Sequence, residues 1–169
     1  MKDSKSFEIG SLSLEHWPQV RAIYVEGMQT GLATFETDAP SWERWDASHH
    51  RFGRLVARDG ETIKGWAALS PVSSRAVYSG VAEVSVYVGE RHRGEGVGRA
   101  LLEALVRDSE LNGIWMLQAG IFAENAASIA LHSGCGFRTV GTRERIACLN
   151  GRWRDTVLME RRSKTIGAD

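Results

Sequence analysis

"ERHRGEGVGRALLEAL", residues 90–105, sets three glycines among basic residues and then runs directly into a leucine-rich helical pattern. A glycine-rich turn at such a junction exposes backbone N–H groups that have no partner inside the helix and that point along the positive end of its dipole. That is the geometry of an anion site, and of a phosphate site in particular. Gly94, Gly96 and Gly98 remove the Cβ atoms that would hold an anion off the backbone, and Arg91, His92, Arg93 and Arg99 add local positive charge. The plainer reading is a strand-to-helix turn with solvated arginines. Two other phosphate loops do not fit, because the glycines fall as GxGxG rather than GxGxxG and no Gly-Lys-Ser/Thr follows.

Upstream of the turn, "GVAEVSVYVGE" (80–90) is a β-branched run that reads as a buried central strand, with Val84, Val86 and Val88 on one face and Glu83, Ser85 and Tyr87 on the other. Downstream, Val97, Leu101, Leu102, Leu105 and Val106 recur at helical spacing. Farther on, "IWMLQAGIF" (114–122) reads as a strand and "NAASIALHSGCGF" (125–137) as a short helix stopped by Gly134 and Gly136. "RTVGTRERIACL" (138–149) and "RWRDTVLMERR" (152–162) read as two closing strands. Toward the N terminus, Phe7 to Leu12 alternates like a strand. Ser13 is positioned to cap a helix carrying Trp17, Val20, Ile23, Tyr24 and Met28 as far as Gly31. A second helix opens after Pro40 in "SWERWDASHHRF" (41–52), and "RLVARDG" and "TIKGWAALSPV" form a hairpin through Asp59-Gly60. Helices interleaved with strands in this way predict an α/β protein with a mixed sheet covered on both faces.

The chain of 169 residues, 43% hydrophobic, supports one domain, with a core over about residues 7–161 and a disordered tail over 162–169. Lys+Arg and Asp+Glu number 21 each, which excludes the basic excess of a nucleic-acid or anionic-membrane binder and makes any anion site local. The polar start lacks the apolar core of a signal peptide, and no run reaches the roughly 18 apolar residues of a membrane span. A cytoplasmic protein is expected. Cys135 and Cys148 sit in no zinc-like spacing, which leaves them as reduced structural residues and predicts no metal site.

Arg93-Gly94-Glu95-Gly96-Val97-Gly98, read as R-x-x-G-x-G between a strand and a helix, resembles the acetyl-CoA pyrophosphate loop of the GNAT superfamily of N-acetyltransferases. "NAASIALHSGCGF" resembles the segment that follows in that superfamily. "ATFET" (33–37), "AEVSVYV" (82–88), "LHSGCGF" (131–137) and "GRWRDT" (151–156) are similar to its phosphinothricin and methionine-sulfoximine acetyltransferase branch. The resemblance implies a single-domain GNAT fold whose twisted, mostly antiparallel sheet has about seven strands. It also implies acetyl-CoA as co-substrate, a small amine as acceptor, and a homodimer.

Site residues follow from the resemblance. Arg93, Gly94, Glu95, Gly96, Val97, Gly98 and Arg99 would hold the pyrophosphate, with the Glu95 side chain turned to solvent. The backbone of Val86, Tyr87 and Val88 would hold the pantetheine arm where their strand splays from "IWMLQAGIF", and Asn125, Ser128 and Ser133 would help from the next helix. Asn125 also reads as a simple helix cap. Glu83 would be the base that deprotonates the amine; otherwise it pairs with a cation on a neighbouring strand. His132, where many members carry Tyr, would protonate the CoA thiolate as imidazolium; otherwise it is a packed helix histidine. Thr34, Phe35, Arg75, Val77 and Tyr78 would border the acceptor, joined by Arg154 from its own or a partner chain, and two arginines would suit two anionic ends. Cys135 lacks the partners of a nucleophile. The implied activity is direct acetyl transfer to an amino acid of phosphinothricin or methionine-sulfoximine type. Another amine (arsinothricin, a polyamine, a protein N-terminus) or a non-catalytic CoA-binding module remain as alternatives.

Overall fold

The computed structural model describes residues 6–168. The strands are β1 (Glu8–Ser11), β2 (Arg54–Asp59), β3 (Thr62–Pro71), β4 (Val81–Val88), β5 (Met116–Phe122), β6 (Arg138–Leu149) and β7 (Arg152–Arg162). The helices are α1 (Trp17–Gln29), α2 (Trp42–Ser48), α3 (Val97–Leu111) and α4 (Ala126–Gly134). The strands form one sheet in the order β1-β2-β3-β4-β5-β7-β6. Neighbours run antiparallel except β4 and β5, which are parallel. The mixed, mostly antiparallel α/β fold expected from the sequence is the one observed.

The two faces of the sheet are covered because their side chains alternate between two cores. On one face, Leu101, Leu102 and Leu105 of α3 are fully buried against Ala67, Leu69 and Val84. On the other, Val20 and Ile23 of α1 and Trp45 of α2 pack on Val56 and Trp66. Each buried leucine contributes about 1.5–3 kcal/mol, so the α3 seam is a main source of stability. Tyr87 belongs to the α1 face, where Trp66 stacks on its ring at 4.7 Å. A Cβ on Gly27 would lie 2.7 Å from that ring, so only glycine lets α1 approach β4 here.

Two expectations change. Helix α1 begins at Trp17 rather than just after Ser13, because Leu14–His16 form a short 3-10 turn; the Ser13 N–H donates to His16 Nδ1 at 3.1 Å. The segment from residue 162, expected to be a disordered tail, folds back as far as it is described. Ser163 is buried, donates to Glu110 Oε1 at 2.9 Å and accepts from the Ile166 N–H at 3.0 Å, while Arg162 holds the Ile166 carbonyl at 2.7 Å. These polar partners fix a stretch whose composition alone has no core-forming pattern.

Candidate active site

The site begins with hydrogen bonds that the sheet leaves unmade. β4 pairs with β3 from Ala82 to Val88, and β5 pairs with β7 along its whole length. Between themselves β4 and β5 pair at Val81↔Met116, Ala82↔Leu117 and Glu83↔Gln118, and among the described residues the ladder stops there. Beyond Glu83 the two strands diverge, and their facing backbone groups are free for another partner.

The glycine-rich turn lies at the far end of β4. Gly94 and Gly96 take left-handed φ values of 80° and 82°, which side-chain-bearing residues rarely adopt, and Gly96 caps α3. A Cβ on Gly94 would meet nothing within 4 Å, so this position faces open space, whereas one on Gly98 would lie 3.3 Å from Leu131. Together with α4 and the segment after α1, the turn encloses a groove of about 620 Å³ whose walls include Arg93, Gly96, Arg99, Asn125 and Ser128. Val86, Tyr87, Val88, Gly94, Val97 and Gly98 also line it. An elongated anionic ligand fits this arrangement: N–H groups at a helix start, glycines without Cβ, and two arginines at the wall.

Two expected members stand elsewhere. Glu95 lies outside the groove walls with its side chain exposed, as expected, and its carboxylate also reaches Lys64 Nζ at 3.3 Å and His92 Nδ1 at 3.5 Å. Desolvation opposes its charge, but Lys64 and His92 outweigh that and hold its pKa below the usual carboxylate value. The acidic side chain is thereby removed from the anion loop. Ser133 is exposed and lies off the groove, one helical step beyond the face that carries Ser128, Leu131 and His132.

A second cavity of about 390 Å³ opens from the groove past Val86, Tyr87, Asn125 and Ser128. It brings together Glu83, His132, Thr34 and Phe35. Glu83 is exposed to this cavity rather than buried in the strand, because the β4–β5 splay begins at its register. Its Oε2 accepts from Gln118 Nε2 at 3.0 Å, so a neutral donor orients it where a cation from a neighbouring strand was the alternative. His132 is buried, with its ring edge-on to Phe137 at 5.1 Å. Its Nδ1–H donates to the Ser128 carbonyl at 2.7 Å, and burial lowers its pKa more than that bond raises it. Burial thus favours the neutral ring, and with Nδ1 donating to Ser128 its lone pair lies on Nε2, whereas the resemblance implies an imidazolium acid here.

Sequence reasoning missed Tyr24 and Glu36 of this cavity, and the residue that holds Glu83. Gln118 was hidden because only the strand register sets it opposite Glu83. Tyr24 was read as a core residue of α1, yet it lines the cavity with Tyr87. Burial raises the pKa of both phenols, Glu36 adds to it in both and Tyr24 adds to it in Tyr87, and Thr34 opposes it, which keeps both hydroxyls neutral. Glu36, beside Phe35 in "ATFET", places a second carboxylate at the wall; its position next to two named residues was the available signal.

The arginines expected at the acceptor are not at its wall. Arg75 lies over the Tyr78 ring at 5.5 Å, in a loop where Val77 and Tyr78 are exposed, and none of the three lines the cavity. Arg154 is buried and committed. It donates to the Gly31 carbonyl at 2.9 Å and to Glu124 Oε2 at 3.2 Å, and its guanidinium lies 4.2 Å from the Phe122 ring centroid. Phe122 meets Phe35 edge-on at 4.7 Å. From the other side, Asn125 caps α4 through Ser128 N at 3.2 Å and donates to the Leu32 carbonyl at 3.1 Å. Both residues thus fasten the loop between α1 and α2 that carries Thr34 and Phe35. Among the described residues no cluster of His, Cys, Asp or Glu is arranged to hold a metal ion, and no helix is long and apolar enough to cross a membrane.

Residues 17–137 match the model of the acetyltransferase (GNAT) family. The chain is 37% identical over 152 residues to a phosphinothricin N-acetyltransferase of Alcaligenes faecalis, covering 85% of this chain and 76% of that protein. It is 33% identical over 150 residues to an L-methionine sulfoximine/L-methionine sulfone acetyltransferase of Pseudomonas aeruginosa, covering 85% and 87%. The fold superposes with a TM-score of 0.86 on a GNAT superfamily phosphinothricin acetyltransferase from Sinorhizobium meliloti solved in complex with AcCoA, at 28% identity and covering 97% and 92% of the two chains. With a glycine-capped anion groove, a splayed β4–β5 pair and a family match over most of its length, this chain belongs to the GNAT family of acetyltransferases.

Proposed function

We propose that this acetyltransferase passes the acetyl group of acetyl-CoA to the amino group of a small amino acid of phosphinothricin or methionine-sulfoximine type, by direct attack while both substrates are bound. The observation that carries this reading is the Glu83 carboxylate standing in a cavity that opens into the anion groove. Acetyl-CoA supplies the activated thioester. The N–H groups at the start of α3, with Arg93 and Arg99, hold its phosphates, and the free edge of β4 from Val86 to Val88 takes its pantetheine arm. An aliphatic amine is mostly protonated at neutral pH, and Glu83 accepts its proton directly or through a water, oriented by Gln118. A β4 N–H along the splay faces the developing oxyanion, whose collapse breaks the C–S bond and releases CoA as its thiolate, the amine's proton passing from Glu83 to solvent. Neutral His132 presents Nε2 as an acceptor, which fits orientation of the amine or its water.

The same reading includes a homodimer through the β6–β7 end, where Val140, Ile146 and Trp153 are exposed, and a cytoplasmic location. The test is a thiol-release screen with acetyl-CoA against phosphinothricin, methionine sulfoximine, methionine sulfone, arsinothricin, polyamines and peptides with free N-termini. Turnover confined to polyamines or peptides would overturn the acceptor class and leave the acetyltransferase assignment standing.

A further inference from the structure

Lys64 of β3 is only 8% exposed, and a cation covered to that extent needs partners. Its Nζ lies 3.3 Å from Glu95 Oε2 and 3.5 Å from Asp59 Oδ2, with the Phe7 ring centroid 6.0 Å away. Glu95 sits between Gly94 and Gly96, the two left-handed glycines of the anion loop, so a hold on its side chain is a hold on the most pliable part of the turn. Its other carboxylate oxygen meets His92 Nδ1 at 3.5 Å. Backbone groups fix the entry to the same turn. The Gly89 N–H donates to the Lys64 carbonyl at 2.9 Å, the His92 N–H to the Gly89 carbonyl at 2.9 Å, and the Glu90 N–H to Glu26 Oε2 at 2.8 Å. Lys64 therefore grips the segment from Gly89 to Glu95 at both ends, with its carbonyl at one and its ammonium at the other. Neither Lys64 nor Glu95 lines the groove that the turn encloses, whereas Arg93, Gly94 and Gly96 do.

We infer that Glu95 is a positioning residue for acetyl-CoA binding: tied to Lys64, it holds the turn between its two glycines in the shape that aims the N–H groups at the diphosphate. This rests on the groove being the acetyl-CoA site and adds to it a residue that touches no ligand. A carboxylate in an anion loop would by charge alone repel the diphosphate, so Glu95 has two effects of opposite sign. With Lys64 beside it the repulsion is small, and the anchored turn does not have to be ordered by the ligand as it binds.

The test titrates acetyl-CoA calorimetrically into the wild type, Glu95→Ala, Glu95→Gln and Lys64→Met, with no acceptor present, so that the outcome is independent of the acceptor class. Alanine and glutamine remove the same charge, but only glutamine keeps an oxygen within reach of Lys64 Nζ. Glu95→Ala should bind more weakly than the wild type and about fivefold more weakly than Glu95→Gln, as for a loop that keeps its binding shape about a fifth of the time. The ligand-free melting temperatures of both should stay close to that of the wild type, because the Glu95 side chain is exposed and such pairs add little to global stability. A merely structural contact would instead move the melting temperature and leave the dissociation constant alone. Lys64→Met, if folded, should bind more weakly than Glu95→Ala, since it frees the turn and also leaves the Glu95 charge unanswered. Equal dissociation constants for Glu95→Ala and Glu95→Gln, or tighter binding by Glu95→Ala than by the wild type, would overturn the inference whether or not Lys64→Met folds. A wild type that fails to bind acetyl-CoA would overturn the groove assignment on which it rests.

Discussion

The guanidinium of Arg154, buried in β7, donates to the carbonyl of Gly31 at the head of the loop between α1 and α2, 2.9 Å away and 123 residues distant in sequence. The contact joins the far side of the sheet to the segment that carries Thr34, Phe35 and Glu36. Arg154→Ala is expected to cost about 2 kcal/mol, as for loss of a hydrogen bond to a charged group, and to raise the acceptor KM more than it lowers kcat. Arg154→Lys keeps the charge but cannot serve Gly31 and Glu124 with a planar fork, so it should restore part of the stability only. Melting curves and acceptor kinetics read both effects; an unaltered KM in either variant would show that the loop holds its place without this anchor.

Glu83→Gln should leave acetyl-CoA binding and the melting temperature close to those of the wild type, because Glu83 is exposed and pairs with neutral Gln118. Turnover at pH 7 should fall by about 10²- to 10⁴-fold, the usual contribution of a positioned general base. The deficit should narrow as pH approaches the pKa of the acceptor amine, since free base then forms in solution. Wild-type turnover at pH 7 would remove Glu83 from the mechanism.

Gly96→Val should abolish the rise in melting temperature that acetyl-CoA gives by binding the folded state. Valine at a φ of 82° is strained by roughly 1–2 kcal/mol and sets a side chain against the N–H cradle of α3. A folded Gly96→Val protein with an undiminished acetyl-CoA shift would refute the assignment of the groove.

Burial lowers the pKa of His132, and the same cause acts first on His49 and His50. The unfolded chain's histidines titrate near about pH 6.5, so between that value and the lower folded values the unfolded state binds more protons. Stability is therefore full above about pH 6.5 and declines as pH falls below it. His132→Asn, which retains a side-chain N–H for the Ser128 carbonyl, should flatten part of this decline while His49 and His50 keep the rest. An acid-side slope identical to the wild type in denaturant titrations would mean that His132 is not held neutral by the fold.

The β6–β7 end should mediate dimerisation. Trp153 is 54% exposed, with the Arg145 guanidinium 5.6 Å from its ring, and Val140 and Ile146 of β6 are exposed as well. Light scattering at micromolar concentration is expected to give a dimer mass, and Trp153→Glu a monomer of unchanged fold. A monomeric wild type would dispose of the proposal.

Element order was legible because each strand and helix carries its own period and stop: the valines of β4, the leucines of α3, the glycines that end α1 and α4. The anion loop was legible for a related reason, since its function lies in local backbone shape that glycine spacing declares. Side-chain commitments were not. Arg154 and Arg75 were offered to the acceptor on the resemblance, and only the assembled fold shows the one bound to a loop carbonyl and the other lying over Tyr78. Glu83 was found as a misfit among valines, but its exposure and its Gln118 partner depend on where the β4–β5 ladder ends. His132 lines the same cavity as Glu83, and the burial and bond to Ser128 that favour its neutral form are properties of the packed helix that the sequence does not display.

The parting of β4 and β5 after Glu83 also bears on how this protein avoids sticking to itself. An unpaired strand edge is a template on which foreign chains can nucleate, and proteins blunt such edges with charge, proline or cover. Here two edges lie inside the sheet, along Val84–Val88 and Ala119–Phe122, flanked by α3, α4 and the fastened loop between α1 and α2. A strand from another molecule would need to thread between those walls, whereas a thin, flexible ligand arm slides in lengthwise. The fold thus keeps backbone hydrogen-bonding capacity open at its centre while its walls exclude a foreign strand.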